Sequence, residues 1–410
     1  MKKFLLFTLK RFIPFFAISA AIFTSVAISV FSAVDVSQEY LEREGELMAY
    51  RSDTGPNTII IIMAILLFLF TAVAPIIANA YRNSLRSADF YNQIGKGHKN
   101  VRLINNLTLL IATLVSFTTA FILGVIILAI KDAAVFANGE TREVVFEVEN
   151  AYRITKPFMY HFAYFIPVYL LLLVGAVINY FISYFFVTRA NNVLNSIIIL
   201  VLGHFILFIG LITPIWYIRI LTNENFSVQY LGGVKTPSMI SIVATAIYLF
   251  KDLLRYGSFN STDFAINNGN DVFGSILAIV SILLFVLFGI YCIRLFLKEK
   301  ESSGELAGKP VGRDNYQMII FHIGAGLVGL WQLSLGSSNA LGIFELLGII
   351  SFIPTIISYG ALYYVFYGLI RRNFRLSKKD LKILLPVLLI NIALGVTCLI
   401  ISNSFTIVYE

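Results

Sequence analysis

Ionisable side chains inside long apolar segments are the first place to look for chemistry in this sequence. Such a group is costly at bilayer depth and persists there mainly where it serves a function. The apolar segments contain few of them, namely His161, His204, His322 and Glu345. No histidine has a carboxylate at the i+4 position, and Glu345 lies near the outer end of its segment. We therefore expect the histidines to be hydrogen-bonded core residues, not metal ligands or proton relays.

No catalytic motif accompanies these residues. The sequence contains no GxxxxGK[ST] phosphate-binding loop and no HExxH, HxxxH or GxSxG pattern. Asn105, Asn106 and Asn391 lie within or beside apolar segments, where we expect them to form hydrogen bonds between helices. We predict that this polypeptide is not an enzyme, and that it holds no catalytic residue, no metal and no cofactor of its own.

The most unusual polar stretch is 81–100, YRNSLRSADFYNQIGKGHKN, which lies between two strongly apolar segments. Residues 84–94 are predicted to form about three helical turns, because a serine can cap the start and the following glycines can terminate it. Its apolar side chains would stand among charges and suit a groove on a partner protein. A linker whose aromatic residues rest among lipid headgroups is the open alternative.

Composition restricts the class of protein. The chain has 410 residues, of which 58% are hydrophobic and 13% charged, against roughly 25% charged residues in a soluble domain. Apolar runs near 20 residues must satisfy their backbone polar groups as transmembrane helices, so the sequence predicts an all-α polytopic membrane protein in the lipid bilayer. A net charge of +8 is ordinary for this class, so no nucleic-acid partner is expected. Cys292 and Cys398 lie in apolar runs and imply no disulfide framework.

About nine transmembrane helices are predicted. The spans are 12–33, 58–80, 103–130, 158–187, 195–217, 273–297, 318–335, 341–370 and 381–402. Basic residues place the loops 81–102 and 371–382 in the cytoplasm, the first through Arg82, Arg86, Lys96, Lys99 and Arg102. The N-terminus is then inside and the C-terminus outside.

Two acid-rich segments, 35–57 and 131–156, fall on the outer side in this topology. The second contains VVFEVE, whose alternation is typical of a short strand or hairpin arm. The apolar run 238–250 is too short for a span and is predicted to be re-entrant or interfacial, because a crossing there would place Arg294 and Lys298 outside. The first apolar segment is too long for a signal peptide, so we expect it to be an uncleaved helix.

Three motifs resemble a known family of membrane proteins. RSADFYNQIGKGHK is similar to a coupling helix, although Gln93, Ile94 and Gly95 stand where that motif has S-L-P. ESSGELAGKP resembles an R-x-x-E-x-A-G-x-P element, and SYGALYYVFYGLIRRNFRL resembles a G-A-L run that closes on K-S-F-R-V. Together they resemble permease subunits of ABC-2-type ABC transporters, the exporters found in low-GC Gram-positive bacteria and often carrying a C-terminal extracytoplasmic domain.

The resemblance implies a division of the chain and a location in the bacterial cytoplasmic membrane. A six-helix ABC-2-like core would occupy 1–300, with coupling helix 84–94 and the possible re-entrant segment 238–250. A cytoplasmic connector would occupy 301–316, and three additional helices with an external C-terminus would occupy 317–410. Whether an extracytoplasmic domain follows the terminal VYE is open.

The resemblance also implies partners. ATP and Mg would be bound by a separate ABC ATP-binding subunit, and a second permease, identical or related, would complete the path for an amphipathic substrate such as a peptide, antibiotic or lipid-like molecule. The implied contacts with the ATPase subunit are the coupling-helix residues Leu85, Arg86, Asp89, Phe90, Tyr91 and Ile94. A cytoplasmic motif of Glu305, Ala307, Gly308 and Pro310 is the second implied contact.

Two other classes of function stay open. An ion-coupled secondary transporter predicts inverted repeats and a midplane carboxylate, and neither is visible in the sequence. A membrane sensor or scaffold that does not transport predicts ligand binding by the acidic outer loops and partner binding by the basic loops.

Overall fold

The computed structural model describes residues 2–33, 37–43, 46–49, 54–83, 98–137, 141–144, 151–157, 165–209, 272–298, 316–341 and 345–406. In this part of the chain one α-helix coincides with each predicted span. These helices are α1 Lys2–Ala33, α2 Thr54–Asn79, α3 His98–Ala137, α4 Phe165–Thr188, α5 Val193–Ile209, α6 Val272–Lys298, α7 Tyr316–Leu341, α8 Glu345–Arg371 and α9 Lys378–Thr406. A short 3-10 helix, Ala80–Asn83, follows α2.

Four helices in the described part of the chain are long and apolar enough to cross a membrane. The qualifying stretches are Leu6–Ala33, Ile61–Asn79, Val101–Lys131 and Phe165–Thr188, and Val193–Phe208 and Tyr316–Gly329 are shorter apolar helices. Large apolar side chains on these helices are exposed, such as Ile65, Ile111 and Leu170, as expected for surfaces that face lipid. The chain therefore has the features of a multi-pass membrane protein, and nine crossings stay a prediction.

The prediction of an all-α protein did not include a small β-sheet that the structure contains. Its strands are β1 Ser37–Arg43, β2 Glu46–Ala49, β3 Thr141–Val144 and β4 Ala151–Pro157, in the order β2-β1-β4-β3. All three pairings are antiparallel, and β1 runs beside β4 from Ser37 opposite Pro157 to Arg43 opposite Ala151. The sheet joins the two acid-rich segments, which the predicted topology places on the same side of the membrane.

The chain forms two compact units, each made of several separate segments of the sequence. The first comprises Met1–Asn79, Tyr91–Ile182 and Met239–Glu301, and the second Ala80–Phe90, Ser183–Ser238 and Ser302–Glu410. Helix α5 belongs with the C-terminal helices because a close approach joins it to α7. A Cβ added at Gly324 would lie 2.8 Å from Cβ of Leu202. The segments 238–250 and 301–315 are outside the described residues.

In the first unit, α1 and α3 run parallel. The hydroxyls of Ser19 and Ser116 are 3.0 Å apart, and near the far ends of the helices Nζ of Lys131 donates to the carbonyl of Ser32 at 2.7 Å. Both contacts join positions at similar depth along the two helices. Spans one and three were predicted to cross in the same direction, and the packing agrees.

Helix α4 runs antiparallel to α3 and parallel to α6. The hydroxyl of Tyr169, near the start of α4, lies 2.7 Å from the hydroxyl of Thr118. Further along α4, the hydroxyl of Tyr180 contacts Asn106, which is nearer the start of α3. Phe181 meets Phe296 of α6 with ring centroids 5.2 Å apart, and a Cβ added at Gly289 would lie 2.4 Å from Ile178. The shared direction of α4 and α6 is the one predicted for spans four and six.

The second unit contains hydrogen-bonded histidines and asparagines between its helices. Nδ1 of His322 lies 2.6 Å from the Tyr363 hydroxyl, and Nε2 of His204 lies 2.9 Å from Oγ of Ser183. Asn391 donates to the hydroxyl of Tyr359 at 3.1 Å. These bonds confirm the expected hydrogen bonding of His204 and His322 and the expected bond between helices at Asn391, whereas His161 lies outside the described residues.

A two-bond cap ends α8. The amide of Arg372 donates to the carbonyl of Leu369 at 3.2 Å, and that of Asn373 to Gly368 at 3.1 Å, which is the bonding pattern of a Schellman motif. Arg372 has φ 55°, in the left-handed region that favours glycine. The ring of Phe374 lies over Gly368, where an added Cβ would come within 2.4 Å of it.

A capping box formed by Ser377 and Asp380 starts α9, six residues after the end of α8 at Arg371. Oγ of Ser377 accepts from the amide of Asp380 at 3.2 Å, while Oδ2 of Asp380 accepts from the Ser377 amide at 3.0 Å and from its hydroxyl at 2.7 Å. The other carboxylate oxygen accepts from the Tyr367 hydroxyl at 2.8 Å and from Nη1 of Arg371 at 2.7 Å. The bonds from Tyr367 and Arg371 fix the start of α9 against the end of α8.

Replacing Arg372 tests the cap of α8. Glycine and alanine both remove the guanidinium, but only glycine adopts φ 55° without the Cβ clash, so Arg372→Gly should be more stable than Arg372→Ala by about 1 kcal/mol. Thermal unfolding of the two variants in one detergent measures the difference. Equal stabilities would contradict the left-handed conformation at this position.

The carboxylate of Asp380 predicts a pH dependence of stability. Hydrogen bonds from the hydroxyl and amide of Ser377, then the bond from Tyr367 and the charge of Arg371, lower the pKa of Asp380 from 3.8 to about 2. Because the folded pKa lies below the unfolded pKa, the stabilisation is complete above about pH 4 and is lost as pH falls towards 2. Unfolding temperatures of the wild type and Asp380→Asn should therefore differ above pH 4 and converge between pH 4 and pH 2. A difference that persists unchanged to pH 2 would contradict these bonds.

Candidate functional site

The residues predicted to contact an ATPase subunit lie outside the described residues. These are Leu85, Arg86, Asp89, Phe90, Tyr91 and Ile94 in one segment and Glu305, Ala307, Gly308 and Pro310 in the other. The two helices that flank the first segment are described: α2 ends at Asn79 and α3 begins at His98. A cluster of buried polar side chains lies at these two helix ends, and we treat this buried polar cluster as the candidate site.

One face of α2 supplies the first side of the cluster. Thr71, Pro75 and Asn79 are spaced at i, i+4 and i+8 and so share that face. Proline has no amide hydrogen and removes one helical hydrogen bond there. Nδ2 of Asn79 donates to the carbonyl of Pro75 at 2.7 Å, and Oγ1 of Thr71 accepts from Nδ2 of Asn179 in α4 at 2.8 Å.

Asn106 of α3 joins three helices. Its Oδ1 accepts from Nδ2 of Asn79 at 3.3 Å and from the Tyr180 hydroxyl of α4 at 3.0 Å. Its Nδ2 donates to the carbonyl of Arg102 at 2.9 Å. Asn106 and Tyr180 have no exposed surface, and Asn79 is 4% exposed. Both the oxygen and the nitrogen of the Asn106 side-chain amide are thus hydrogen-bonded without access to water.

Arg102 brings α6 into the cluster. Its side chain has no exposed surface, and Nη2 donates to the carbonyl of Phe296 at 2.7 Å. Cζ lies 5.2 Å from the centre of the Phe296 ring. Phe296 is in the last turn of α6, where carbonyls without helical partners carry partial negative charge. The guanidinium therefore caps α6, and the helix end and the ring offset the cost of burying the charge.

Asn105 is buried but makes no hydrogen bond. It has no exposed surface, and neither Oδ1 nor Nδ2 has a partner in the described part of the chain. An unsatisfied buried amide costs about 1–3 kcal/mol. The expected interhelical bond is thus present at Asn106 and absent at Asn105. Oδ1 of Asn179 is likewise buried without a partner, but Asn105 is unsatisfied on both its oxygen and its nitrogen, so an apolar residue would be more stable there.

The sequence prediction missed most of this cluster. It counted Arg102 among the exposed basic residues of the loop 81–102, whereas the structure buries it. The available signal was its position at the start of an apolar run, four residues before Asn106, where a long polar side chain must find partners between helices. Thr71, Asn179 and Tyr180 gave no signal, because isolated hydroxyls and amides are common in membrane helices.

The arrangement can hold helices together. Its members are amides, hydroxyls and one guanidinium that donates to a carbonyl. No group of three histidine, cysteine, aspartate or glutamate side chains lies together within the described ranges. The cluster ties the ends of α2, α3, α4 and α6 where the segment 84–97 leaves and rejoins the helices, which suits a mechanical role.

Comparisons with models of protein families, with curated proteins and with solved structures find no match to this chain. The likeness to ABC-2-type permeases therefore depends on the three sequence motifs alone.

Adjacent asparagines provide a matched test of the cluster. Asn106→Leu removes bonds to two other helices and should destabilise the protein by about 1 kcal/mol or more. Asn105→Leu removes a side chain of the same size that makes no hydrogen bond, so its stability should equal or exceed that of the wild type. Unfolding temperatures in one detergent compare them. Equal destabilisation by both variants would contradict the assigned network.

Proposed function

We propose that this chain is the permease subunit of an ABC-2-type exporter in the bacterial cytoplasmic membrane, with its N-terminus inside and its C-terminus outside. It moves an amphipathic substrate, while a separate ABC subunit binds and hydrolyses ATP with Mg. One observation carries the proposal beyond the sequence motifs. The buried polar cluster ties four helices at both ends of the segment 84–97, which contains the predicted coupling helix.

In the proposed mechanism, this segment is the input for movement. ATP binding closes two ATPase subunits, and the helix 84–94, seated in a groove of one of them, is displaced as a rigid body. Leu85, Phe90, Tyr91 and Ile94 supply its apolar contacts, Arg86 and Asp89 its charged ones, and Glu305, Ala307, Gly308 and Pro310 a second contact. The cluster passes the displacement to α2, α3, α4 and α6, because its hydrogen bonds connect helices to each other.

Transport then follows from a change in conformation without covalent chemistry in this chain. The connected helices alternate between states with different affinity for the substrate, and a second permease completes the path. The described cluster contains no carboxylate, whereas an ion path or proton relay uses pairs of ionisable groups. This favours an amphipathic substrate and argues against an ion-coupled carrier.

A second candidate function is a membrane sensor or scaffold that does not transport. The four-stranded sheet favours it, because this sheet joins two acid-rich segments into one folded surface on a single face of the membrane. The acid-rich segments on this face would bind a ligand, and the basic loops on the other face would bind a signalling partner. A partner identified by mass distinguishes the two functions.

The experiment is a pull-down of the full chain from its native membrane in mild detergent. The wild type should recover a P-loop ATPase in stable ratio, and Phe90→Ala with Tyr91→Ala should lower its recovery at least about tenfold, as for aromatic anchors of an interface. Phe16→Ala with Tyr291→Ala is the matched control, since these aromatic residues are 41% and 51% exposed on α1 and α6. The control should recover the ATPase as the wild type does.

Each outcome decides one part of the proposal. Full recovery by the Phe90→Ala, Tyr91→Ala variant would contradict the coupling-helix assignment while leaving the exporter intact. A wild type that recovers a kinase or regulator and no ATPase would contradict the exporter and support the sensor.

A further inference from the structure

The turn between α8 and α9 carries a dense positive charge. Residues 371–382 contain six lysines and arginines and one acidic residue. Arg371 pairs with Asp380 at 2.7 Å, and the other five basic side chains are exposed: Arg372, Arg375, Lys378, Lys379 and Lys382. Three large apolar side chains stand among them, with Phe374 50%, Leu376 41% and Leu381 47% exposed. We call residues 371–382 the basic turn.

The backbone of the basic turn is held in place before any ligand binds. The cap at the end of α8 and the capping box at the start of α9 fix both ends. The single carboxylate, Asp380, is 5% exposed and accepts bonds from Ser377, Tyr367 and Arg371. Its charge is used inside the turn, so the exposed surface of the turn presents basic, apolar and uncharged polar groups but no carboxylate. A preformed site of this kind loses less entropy on binding.

The surface of α9 indicates what the basic turn contacts. Lys378, Lys382, Leu385 and Leu389 are spaced at i, i+4, i+7 and i+11 and so lie on one face of the helix. The two leucines are 55% and 56% exposed, as expected for a surface that faces hydrocarbon. The lysines therefore occupy the place where a lipid-facing surface ends and the headgroups begin, and long basic side chains extend to that depth.

We propose that the basic turn is a binding site for the phosphate groups of anionic phospholipids, with Phe374 and Leu376 resting at the level of the headgroups. Charge complementarity and the continuous lipid-facing surface of α9 both favour a membrane lipid over an acidic protein. A protein bound to the basic turn could not extend over the adjoining apolar surface of α9, because that surface faces lipid. The inference depends on α9 lying in the membrane, and it holds whether or not the protein is an exporter.

The test is native mass spectrometry of the purified full chain with added phosphatidylglycerol or phosphatidylcholine of identical acyl chains. The wild type should retain phosphatidylglycerol in preference to phosphatidylcholine. Each basic residue near a lipid surface contributes about fivefold to affinity for anionic lipid. The variant Arg372→Gln, Arg375→Gln, Lys379→Gln should therefore bind phosphatidylglycerol at least about tenfold more weakly, because three such contributions are removed. It leaves Asp380 and its partners intact, so its unfolding temperature without lipid should match that of the wild type.

A control with the same loss of charge separates a site from a general effect of net charge. Arg11→Gln, Arg294→Gln, Lys298→Gln removes three exposed basic residues from α1 and α6 and should lower the affinity for phosphatidylglycerol much less than the variant in the basic turn does. Equal loss in both triple variants, or equal binding of the two lipids by the wild type, would overturn the proposal.

Two further results would replace the proposed occupant. If inorganic phosphate, exchanged for chloride at constant ionic strength, removed the preference for phosphatidylglycerol, the basic turn would be a site for free anions. If the triple variant in the basic turn kept the lipid preference but lost a protein recovered with the wild type, the turn would be a protein-docking surface.

Discussion

The guanidinium of Arg102 is buried against the end of α6. The polar contacts of the first unit depend on groups that stabilise this buried charge. A buried charge is tolerated only where fixed partial charges and hydrogen bonds replace water. The carbonyl of Phe296 and its ring provide these at 2.7 Å and 5.2 Å. The requirement holds the start of α3 against the end of α6. Asn106, one turn further along α3, extends the connection to Asn79 and Tyr180.

Magnitudes explain why a polar cluster can link helices where apolar packing alone would not. Lipid tails are as apolar as leucine, so apolar contact gives little preference for one helix neighbour over another within a bilayer. A hydrogen bond between membrane helices contributes about 0.6 kcal/mol on average, and each one requires a particular pair of side chains. Several bonds that share Asn106 as a common member therefore define which helices meet and at what depth, although no single bond is strong.

Some of this structure could be predicted from the sequence, and the rest depends on contacts between distant residues. The helices were predictable because the hydrophobic runs are local, and a described α-helix overlaps each of the nine predicted spans. The sheet was only partly predictable: VVFEVE spans residues 144–149, of which only Val144 lies in a described strand, and β1 has the polar sequence SQEYLER and is defined by its pairing with β4, more than 100 positions away. The grouping of α5 with α7 depends on Leu202 meeting Gly324, which neither local sequence reveals. In the candidate site, Asn106 was predictable as a polar residue in an apolar run, whereas the contrast between Asn105 and Asn106 appears only when the neighbouring helices are in place.

The central claim is that the buried polar cluster carries movement of the segment 84–97 to the helices. A fluorophore on a cysteine at position 287 tests it, because Leu287 is 60% exposed on α6 and the two native cysteines can be replaced by alanine. In vesicles that contain the ATPase subunit, ATP should change the emission in the wild type. In Asn106→Leu, the subunit should still bind but ATP should leave the emission unchanged. An equal ATP-dependent change in both proteins would contradict the account.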